Sequence, residues 1–315
     1  MGPALVQVVR QLPSEPGVYR FRDGEGEVLY VGRAAQLRSR VASYWSDLRD
    51  RRHLQPMVAA VASIEALVCG SRHEAAWLER NVLEGAALPP WNRTPGGQET
   101  PAVIVLDRRR PRPRLVVAHL PHEPIAGGSI FGPFLGGLQV RRAVAGLHRL
   151  YPLAYTGTRI SGTERAMAVE RSVAEGDRDT LADALTAVLG RDPAAVAQAK
   201  AHLEALRQRV VSAEAFELAA RIDGELCGLE WISSVQRVST LSGEDADVFA
   251  WSRGVLVHFA VRSGRLQQWT SRRSDLADAT SHLRVSPASW TDFAQRNADL
   301  AAALVSAAET TTRGE

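Results

Sequence analysis

The sequence contains little cysteine, almost no lysine and no long apolar segment. Its two cysteines, Cys69 and Cys227, have neither a pairing pattern nor a metal-ligand spacing. This favours two small reduced thiols over a disulfide framework. No apolar run approaches the roughly 20 residues of a membrane-spanning helix, and the N-terminus lacks a charged-then-apolar leader. We therefore expect a soluble, cytoplasmic protein with no membrane partner.

The scarcity of lysine gives the charge an unusual distribution. Lys200 is the only lysine, so arginine supplies nearly all of the positive charge. The net charge of +3 and the pI of about 9.2 are compatible with a nucleic-acid partner. A coding bias toward arginine would raise the pI equally well, so the charge alone does not show such a partner. The 315 residues allow one large core or two or three smaller ones.

A turn cluster near the N-terminus predicts a β-hairpin. Asp23–Gly26 separates two short runs, Gly17–Arg22 and Glu27–Val31, in which apolar and polar residues alternate. If the two central residues of the cluster form the loop, Tyr19 lies directly opposite Tyr30, with Cβ atoms about 5 Å apart. The predicted hairpin thus places two phenols on one face of a sheet.

A helix predicted after the hairpin adds two cations and a third phenol. Gly32 is expected to end the second strand, and Ala34–Trp45 contains helix formers without glycine or proline. Positions four and seven residues apart share one stripe of a helix, which would align Arg33, Arg40 and Tyr44. Three tyrosines and two arginines therefore converge at one end of a hairpin–helix unit.

Two tripeptides in this region match a known family. Gly17-Val18-Tyr19 and Tyr30-Val31-Gly32, followed by an arginine-bearing helix, resemble the signatures of the GIY-YIG nucleases. The stretch 29–45, LYVGRAAQLRSRVASYW, resembles the UvrC/Cho family of bacterial excision nucleases. Either tripeptide alone would be a weak match, and the alternative is a structural hairpin with a solvated basic helix. The resemblance implies an α+β fold over residues 12–94, with a small antiparallel sheet flanked by helices.

The next predicted helix carries the one carboxylate among the candidate active-site residues. Ser71–Glu84 has helical periodicity, and by that pattern alone Glu79 is a solvated side chain. The segment resembles the family's E-A-x-x-L-E-x-N pattern, in which the matching glutamate binds the catalytic metal. Residues 90–92, Pro-Trp-Asn, resemble the family's P-x-Y-N ending, in which the asparagine matching Asn92 helps to order the site. Trp91 departs from the usual tyrosine.

The resemblance implies a role for each of these residues in phosphodiester hydrolysis. Glu79 would hold Mg²⁺ or Mn²⁺, which prefer oxygen ligands. Tyr19 or Tyr30 would orient or deprotonate water; because a phenol has a pKa near ~10, a neighbouring cation must favour its phenolate. Arg40 would neutralise developing charge. Arg33 stands where most relatives have lysine and can bind phosphate, but its pKa above about 12 rules out proton transfer. Tyr44 would line the site.

A second set of arginines follows a linker at residues 94–100. Two strands are predicted on either side of the run RRRPRPR, and Ile130–Phe134 resembles a Y-F-G-P-Y element of UvrC, in a connector over residues 101–155. The run is either a solvated hairpin tip or a phosphate contact. The candidate DNA-binding residues are Arg38, Arg108, Arg109, Arg110, Arg112 and Arg114.

The remainder resembles the family loosely and departs from it in two places. The stretch 151–179 has no cysteine where UvrC carries an iron–sulfur cluster, so no cluster is expected. A helical hairpin is predicted over 180–235, and its residues 205–230 resemble the motif through which UvrC contacts UvrB. Asp223-Gly224 replaces that motif's Arg-Asp pair, and packing of the hairpin's own core is an adequate alternative.

A short β region is predicted over 240–300, similar to the one that precedes the second nuclease domain of UvrC. The carboxylates of that domain are absent from the sequence, so one incision site is implied. The leading hypothesis is a metal-dependent DNA endonuclease of nucleotide excision repair that nicks one strand near a lesion, on the 3′ side by resemblance. Alternatives are the nuclease half of a larger exonuclease-fused repair protein, and a catalytically silent module that binds DNA or docks UvrB.

Overall fold

The computed structural model describes residues 2–46, 49–94, 99–109, 111–120 and 128–312. The chain packs as two compact units: residues 1–98 join 235–315 in the first, and residues 99–234 form the second. The predicted α+β class is confirmed. The β region predicted over 240–300 is not a separate body, because it belongs to the same unit as the predicted nuclease domain.

The first part of the first unit is a three-stranded sheet with helices packed around it. The strands are antiparallel in the order β2-β1-β3, so β1 is central. This confirms the small sheet that the sequence predicted. The elements are α1 (Pro3–Gln11), β1 (Gly17–Arg22), β2 (Val28–Ala34), α2 (Leu37–Ser46), a 3-10 helix (Arg49–Leu54), α3 (Gln55–Ala60), β3 (Ser63–Val68) and α4 (Arg72–Gly85).

The hairpin of β1 and β2 has a different register from the predicted one. Tyr19 pairs with Gly32, and Tyr30 pairs with Phe21. Both tyrosines still lie on one face, because the shift is an even number of residues. A bulge between Phe21 and Arg22 accompanies the shift.

The turn of the hairpin explains this register. The Asp23 carboxylate accepts hydrogen bonds from the amides of Glu25 and Glu27, at 3.0 and 2.9 Å. Gly26 adopts a left-handed backbone with φ of +88°, which residues with a side chain rarely adopt. The loop therefore extends beyond the two residues that the prediction assumed.

The second strand also runs further than predicted. It continues through Gly32 to Ala34, so Arg33 lies on β2 and not on the helix. Arg40 and Tyr44 do lie on α2. The predicted common helical stripe was therefore wrong for Arg33, although the strand end still delivers this residue to the site described below.

The second unit combines a sheet with a helical bundle. Its antiparallel sheet has the order β5-β4-β6. Within the helical hairpin predicted over 180–235, the chain turns between two long helices at residues 213–215, where Glu214 has φ of +58°. The elements are β4 (Ala102–Asp107), β5 (Arg114–His119), β6 (Gly128–Phe134), α5 (Gly137–Leu150), a 3-10 helix (Leu153–Thr156), α6 (Gly162–Glu170), a 3-10 helix (Glu175–Asp177), α7 (Arg178–Leu189), α8 (Pro193–Ser212) and α9 (Phe216–Ser233).

The chain then returns to the first unit with a β-meander and two helices. These are β7 (Ala246–Ser252), β8 (Val255–Arg262), β9 (Arg265–Arg273), α10 (Leu276–Leu283), a 3-10 helix (Ala288–Trp290) and α11 (Thr291–Thr312). Helix α11 packs on α1, β3, β7 and β8. Its Leu300 and Leu304 share one core with Tyr19 and Phe21. No helix in the described ranges is long and apolar enough to cross a membrane.

Buried polar side chains join the two parts of the first unit. The Asn81 amide, fully buried on α4, donates to the Val238 carbonyl at 2.9 Å. Asn297 on α11 accepts from the Val68 amide at 2.7 Å and donates to its carbonyl at 3.2 Å. Losing one partner of such a buried bond leaves an unsatisfied group, at a cost of about 1–3 kcal/mol. These bonds therefore fix how the meander and α11 pack on the sheet.

Candidate active site

Four aromatic rings cluster on one face of the first sheet. The rings of Tyr19, Tyr30 and Tyr44 lie 6.0–6.3 Å apart between centroids. The Tyr19 and Tyr44 hydroxyls share a hydrogen bond of 2.8 Å. Tyr19 and Tyr44 are buried, whereas Tyr30 is only partly buried. The fourth ring is that of Phe21, which was not predicted as part of the site and packs 5.1 Å from Tyr44. Its even spacing from Tyr19 on β1 indicates the shared face.

Steric crowding explains why each tripeptide contains glycine. A Cβ atom on Gly17 would lie 2.2 Å from the Leu67 carbonyl oxygen. A Cβ atom on Gly32 would lie 2.6 Å from the Tyr19 hydroxyl and 2.7 Å from the Tyr30 ring. Gly17 therefore allows β1 to pack closely beside β3, and Gly32 leaves room for the phenol of Tyr19.

The surroundings of Tyr19 and Tyr30 disfavour ionisation of these two phenols. Burial raises the pKa of Tyr19 and of Tyr30, and the neighbouring Tyr44 adds to both shifts. The charge of Glu79 raises the pKa of Tyr30 further, while Arg40 acts in the opposite direction. The Arg40 guanidinium lies 5.5 Å from the centroid of the Tyr44 ring. Tyr30 thus lies within electrostatic reach of a carboxylate and a guanidinium.

Arg33 and Glu79 meet directly across β2 and α4. The Arg33 amide donates to Glu79 Oε1 at 3.2 Å, and the Arg33 Nε atom lies 3.2 Å from Oε2. The two side chains keep 41% and 24% of their exposure. The carboxylate is therefore oriented by the backbone of β2 and remains accessible from solvent.

Asn92 holds the outer edge of β2. Its Oδ1 accepts from the Val31 amide at 2.9 Å, and its Nδ2 donates to the Val31 carbonyl at 2.8 Å. The adjacent Trp91 amide donates to the Leu29 carbonyl at 3.3 Å. Because β2 is an edge strand, these bonds satisfy groups that would otherwise face solvent. Asn92 thereby fixes the strand that carries Tyr30 and Arg33.

Most of the predicted DNA-binding arginines form hydrogen bonds or ion pairs with residues of their own unit. Arg38 Nε donates to the Leu12 carbonyl at 2.6 Å. Arg109 forks onto Asp107 at 2.6–3.0 Å, and Arg114 lies 3.5 Å from the same carboxylate. Arg108 pairs with Asp183 and Thr186, each at 2.7 Å, Arg112 is exposed, and Arg110 lies outside the described residues.

The segment that resembles the UvrB-contacting motif has one buried and one exposed face. Leu226 and Leu229 of α9 pack into the core of the second unit. Phe216 is 65% exposed, and Glu217, Ala220 and Glu230 are exposed as well. Core packing thus accounts for the leucines of the pattern but not for Phe216.

Comparison with known proteins identifies the domain that carries the site. Residues 15–92 match the family model of the UvrC-like GIY-YIG domain. UvrABC system protein C of Sphingopyxis alaskensis is 32% identical over 281 residues, 84% of this chain and 42% of that protein. The Moorella thermoacetica protein of the same name is 29% identical over 261 residues, 79% of this chain and 41% of that protein. The chain thus spans about two fifths of the length of these relatives.

Solved structures that match include GIY-YIG N-terminal endonuclease domains of UvrC from Thermotoga maritima. One, bound to its catalytic divalent cation magnesium, is 27% identical, with 28% of this chain and 97% of that chain covered and a TM-score of 0.25. A point mutant bound to its catalytic divalent cation is 26% identical, with 30% and 100% covered and a TM-score of 0.27. Residues 15–92 thus form a UvrC-like GIY-YIG domain, in a chain that is similar in sequence to UvrABC system protein C.

Proposed function

We propose that the chain is a metal-dependent DNA endonuclease of nucleotide excision repair, which nicks one strand near a lesion, on its 3′ side. The observation that carries this proposal is the meeting of Glu79 and Arg33 beside Tyr30, with Arg40 acting on the same phenol. The name of the relatives, UvrABC system protein C, supports the repair context. Hydrolysis of a phosphodiester needs the groups gathered here: a positioned water and cationic stabilisation of the phosphate.

Glu79 fits a hard divalent cation. Mg²⁺ is usually bound through one or two carboxylates, with water and substrate phosphates as the other ligands. Glu79 offers one accessible carboxylate, and no three His, Cys, Asp or Glu side chains converge within the described ranges. Mg²⁺ or Mn²⁺ bound there would polarise the phosphate and offset its developing charge. The Arg33 amide keeps Oε1 oriented, which leaves Oε2 for the cation once the Arg33 side chain moves away.

Tyr30 is the phenol best placed to act on water. Tyr19 and Tyr44 are buried and hydrogen-bonded to each other, whereas Tyr30 is partly exposed. Because burial raises its pKa, Tyr30 orients water as a neutral phenol until nearby positive charge lowers that pKa. Tyr19 and Tyr44 then act as positioning residues that hold the Tyr30 ring. Arg40 supplies positive charge beside the phenol cluster.

Arg33 and Asn92 are the remaining residues of the proposed active site. The Arg33 guanidinium binds a phosphate oxygen when it is not paired with Glu79, since its charge persists at any working pH. Asn92 holds β2 in place through Val31. A catalytically silent module would have no need of this set, and the completeness of the set therefore favours an enzyme.

A partner of UvrB type would meet the exposed face of α9. Phe216 offers a large apolar contact at the start of the helix, and aromatic anchors of this kind often dominate protein interfaces. We propose this surface, and not the buried leucines, as the place where the segment 205–230 would contact UvrB.

The proposal is tested by Glu79→Gln, with Glu84→Gln as a matched control. Glu84 lies on the same helix but pairs with Arg80 and Arg265 outside the site. An end-labelled damaged duplex is incubated with each protein and Mg²⁺, with and without UvrA and UvrB. Glu79→Gln should lose incision and Mn²⁺ binding, measured by electron paramagnetic resonance, while circular dichroism stays unchanged. Incision at the wild-type rate by Glu79→Gln would refute the assignment.

A further inference from the structure

A cleft of about 210 Å³ lies in the first unit and is lined by residues of β2, of β9 and of the segment after α4. Its sides are apolar, with Val28, Val31, Val82 and Pro89 in the lining. Gln267, Gln268 and Arg22 add polar groups. A mostly apolar cleft with a few polar groups is the usual form of a site for a small organic ligand or group.

The two glutamines owe their place in the cleft to a β-bulge. On β8 and β9, Ala260 pairs with Gln268 but Val261 pairs with Leu266, so Gln267 is the extra residue. Consecutive residues of a regular strand point to opposite faces, whereas a bulge re-aims a side chain. Here both glutamines line one cleft. Neither carboxamide makes a hydrogen bond within the part of the chain that the structure describes, so both keep donors and acceptors for a ligand.

The cleft is lined in part by the two elements that carry Arg33 and Glu79, β2 and α4. Val31 lines the cleft, and its backbone is the group that Asn92 holds. The next residue toward the turn, Tyr30, presents its phenol on the other face of the sheet. Ala86, Ala87 and Pro89 lie on the short segment that leads from the helix of Glu79 to Asn92. Arg33, two residues after Val31 on β2, lies on the cleft's face of the sheet, so a DNA strand bound to Arg33 would lie on the same face as the cleft.

We propose that this cleft takes one unpaired nucleobase of the DNA, an inference that rests on the proposed function. A nucleobase has flat apolar faces, which the valines and Pro89 can contact, and an edge of donors and acceptors. Carboxamides pair with such edges, most readily with adenine. Bases taken out of a duplex are held in this way, by apolar side chains and by hydrogen bonds to their edges. The cleft would thereby favour DNA in which a lesion has already unpaired a base.

The experiment uses the full chain with Glu79→Gln, so that the DNA is not cut during binding. The probe is a short duplex with one 2-aminopurine opposite an abasic site, compared with the same duplex in which 2-aminopurine pairs with thymine. The unpaired probe should bind about fivefold more tightly, with a change in its fluorescence, as expected for one or two added hydrogen bonds. Adding Ala87→Trp, which fills the cleft from an exposed residue, should abolish both effects.

Two further variants make the result specific. Ala166→Trp adds the same ring at an exposed residue of the second unit and should keep the preference. Gln267→Ala with Gln268→Ala should reduce it without filling the cleft. An unchanged preference in both Ala87→Trp and the double variant would overturn the proposal. If the cleft proposal fails in this way, incision of DNA by the wild-type chain would still support the proposed function. If the preference depends on the cleft but the wild-type chain makes no incision, the base-binding site is supported and the proposed nuclease activity is refuted.

Discussion

Arg33 contacts both oxygens of the Glu79 carboxylate. Its backbone amide donates to Oε1 at 3.2 Å, and its side chain forms an ion pair in which Nε lies 3.2 Å from Oε2. Partly exposed ion pairs of this kind contribute only about 0–1 kcal/mol. The guanidinium can therefore leave at little cost when a divalent cation binds. In the proposed reaction, Arg33 would pair with Glu79 before a cation binds and would contact phosphate afterwards.

Replacing Gly32 should disturb the phenol cluster although none of its side chains is itself replaced. The added methyl of Gly32→Ala would meet the Tyr19 hydroxyl and the Tyr30 ring at 2.6 and 2.7 Å. Overpacking of this kind costs about 1–3 kcal/mol, and we expect both stability and nicking to fall. Gly24→Ala is the control, because nothing lies within 4 Å of its Cβ position. Urea denaturation curves with the same midpoint for the two variants would contradict this account.

The sequence predicted the small sheet and the gathering of phenols, because both depend on local alternation and turn residues. It did not predict the register, since that depends on the two amides bonded by the Asp23 carboxylate. Arg33 reached Glu79 from a strand and not from a helix. The buried role of Asn81 was also missed, although its position three residues after Leu78 placed an amide on the apolar face. Its partners, Val238 and Ser239, are more than 150 residues away, beyond the reach of local patterns.

Stability should fall in the alkaline range through two groups that the fold keeps neutral. Burial raises the pKa of the Cys69 thiol and of the Tyr19 phenol. Stability is therefore fully present below each unfolded-state pKa, about 8.5 and 10 respectively, and is lost as the pH rises toward the folded-state value. Because Lys200 is the only lysine, few other groups titrate in this range.

The losses of stability from Cys69 and from Tyr19 can be distinguished by measuring thermal unfolding from about pH 7 to 11. Cys69→Ala should remove the loss of stability that begins near pH 8.5, and Tyr19→Phe should reduce the loss above about pH 10. Part of the upper loss should persist in Tyr19→Phe, since burial raises the pKa of Tyr30 as well. A slope above pH ~10 that is the same in wild type and Tyr19→Phe would show that Tyr19 does not carry the effect.

The protein should carry no iron–sulfur cluster, in contrast to the feature that its family resemblance would suggest. Thiolates hold such clusters, and residues 151–179 contain none. Protein purified without oxygen should be colourless and have no stoichiometric iron by elemental analysis. A visible absorption band with bound iron would require ligands other than a local cysteine set.

Replacement of Arg33 separates binding of phosphate from transfer of a proton. If the guanidinium only binds phosphate, Arg33→Lys should keep most activity and lose about 1 kcal/mol, because a forked contact becomes a point charge. Arg33→Ala should lose more, in turnover more than in DNA affinity, since the charge matters most in the transition state. The same variant should bind Mn²⁺ more tightly, because it removes the cation that competes for Glu79.

The rates are measured as single-turnover nicking from about pH 6 to 10, with Arg80→Ala as the control. Arg80 adjoins Glu79 in the chain but pairs with Glu84, so its loss should leave rate and Mn²⁺ affinity unchanged. If residue 33 instead donates a proton in relatives that carry lysine, Arg33→Lys should raise the rate and add a basic limb to the pH profile. Equal rates for the wild type and Arg33→Ala would place Arg33 outside the active site, and its ion pair with Glu79 would then be structural only.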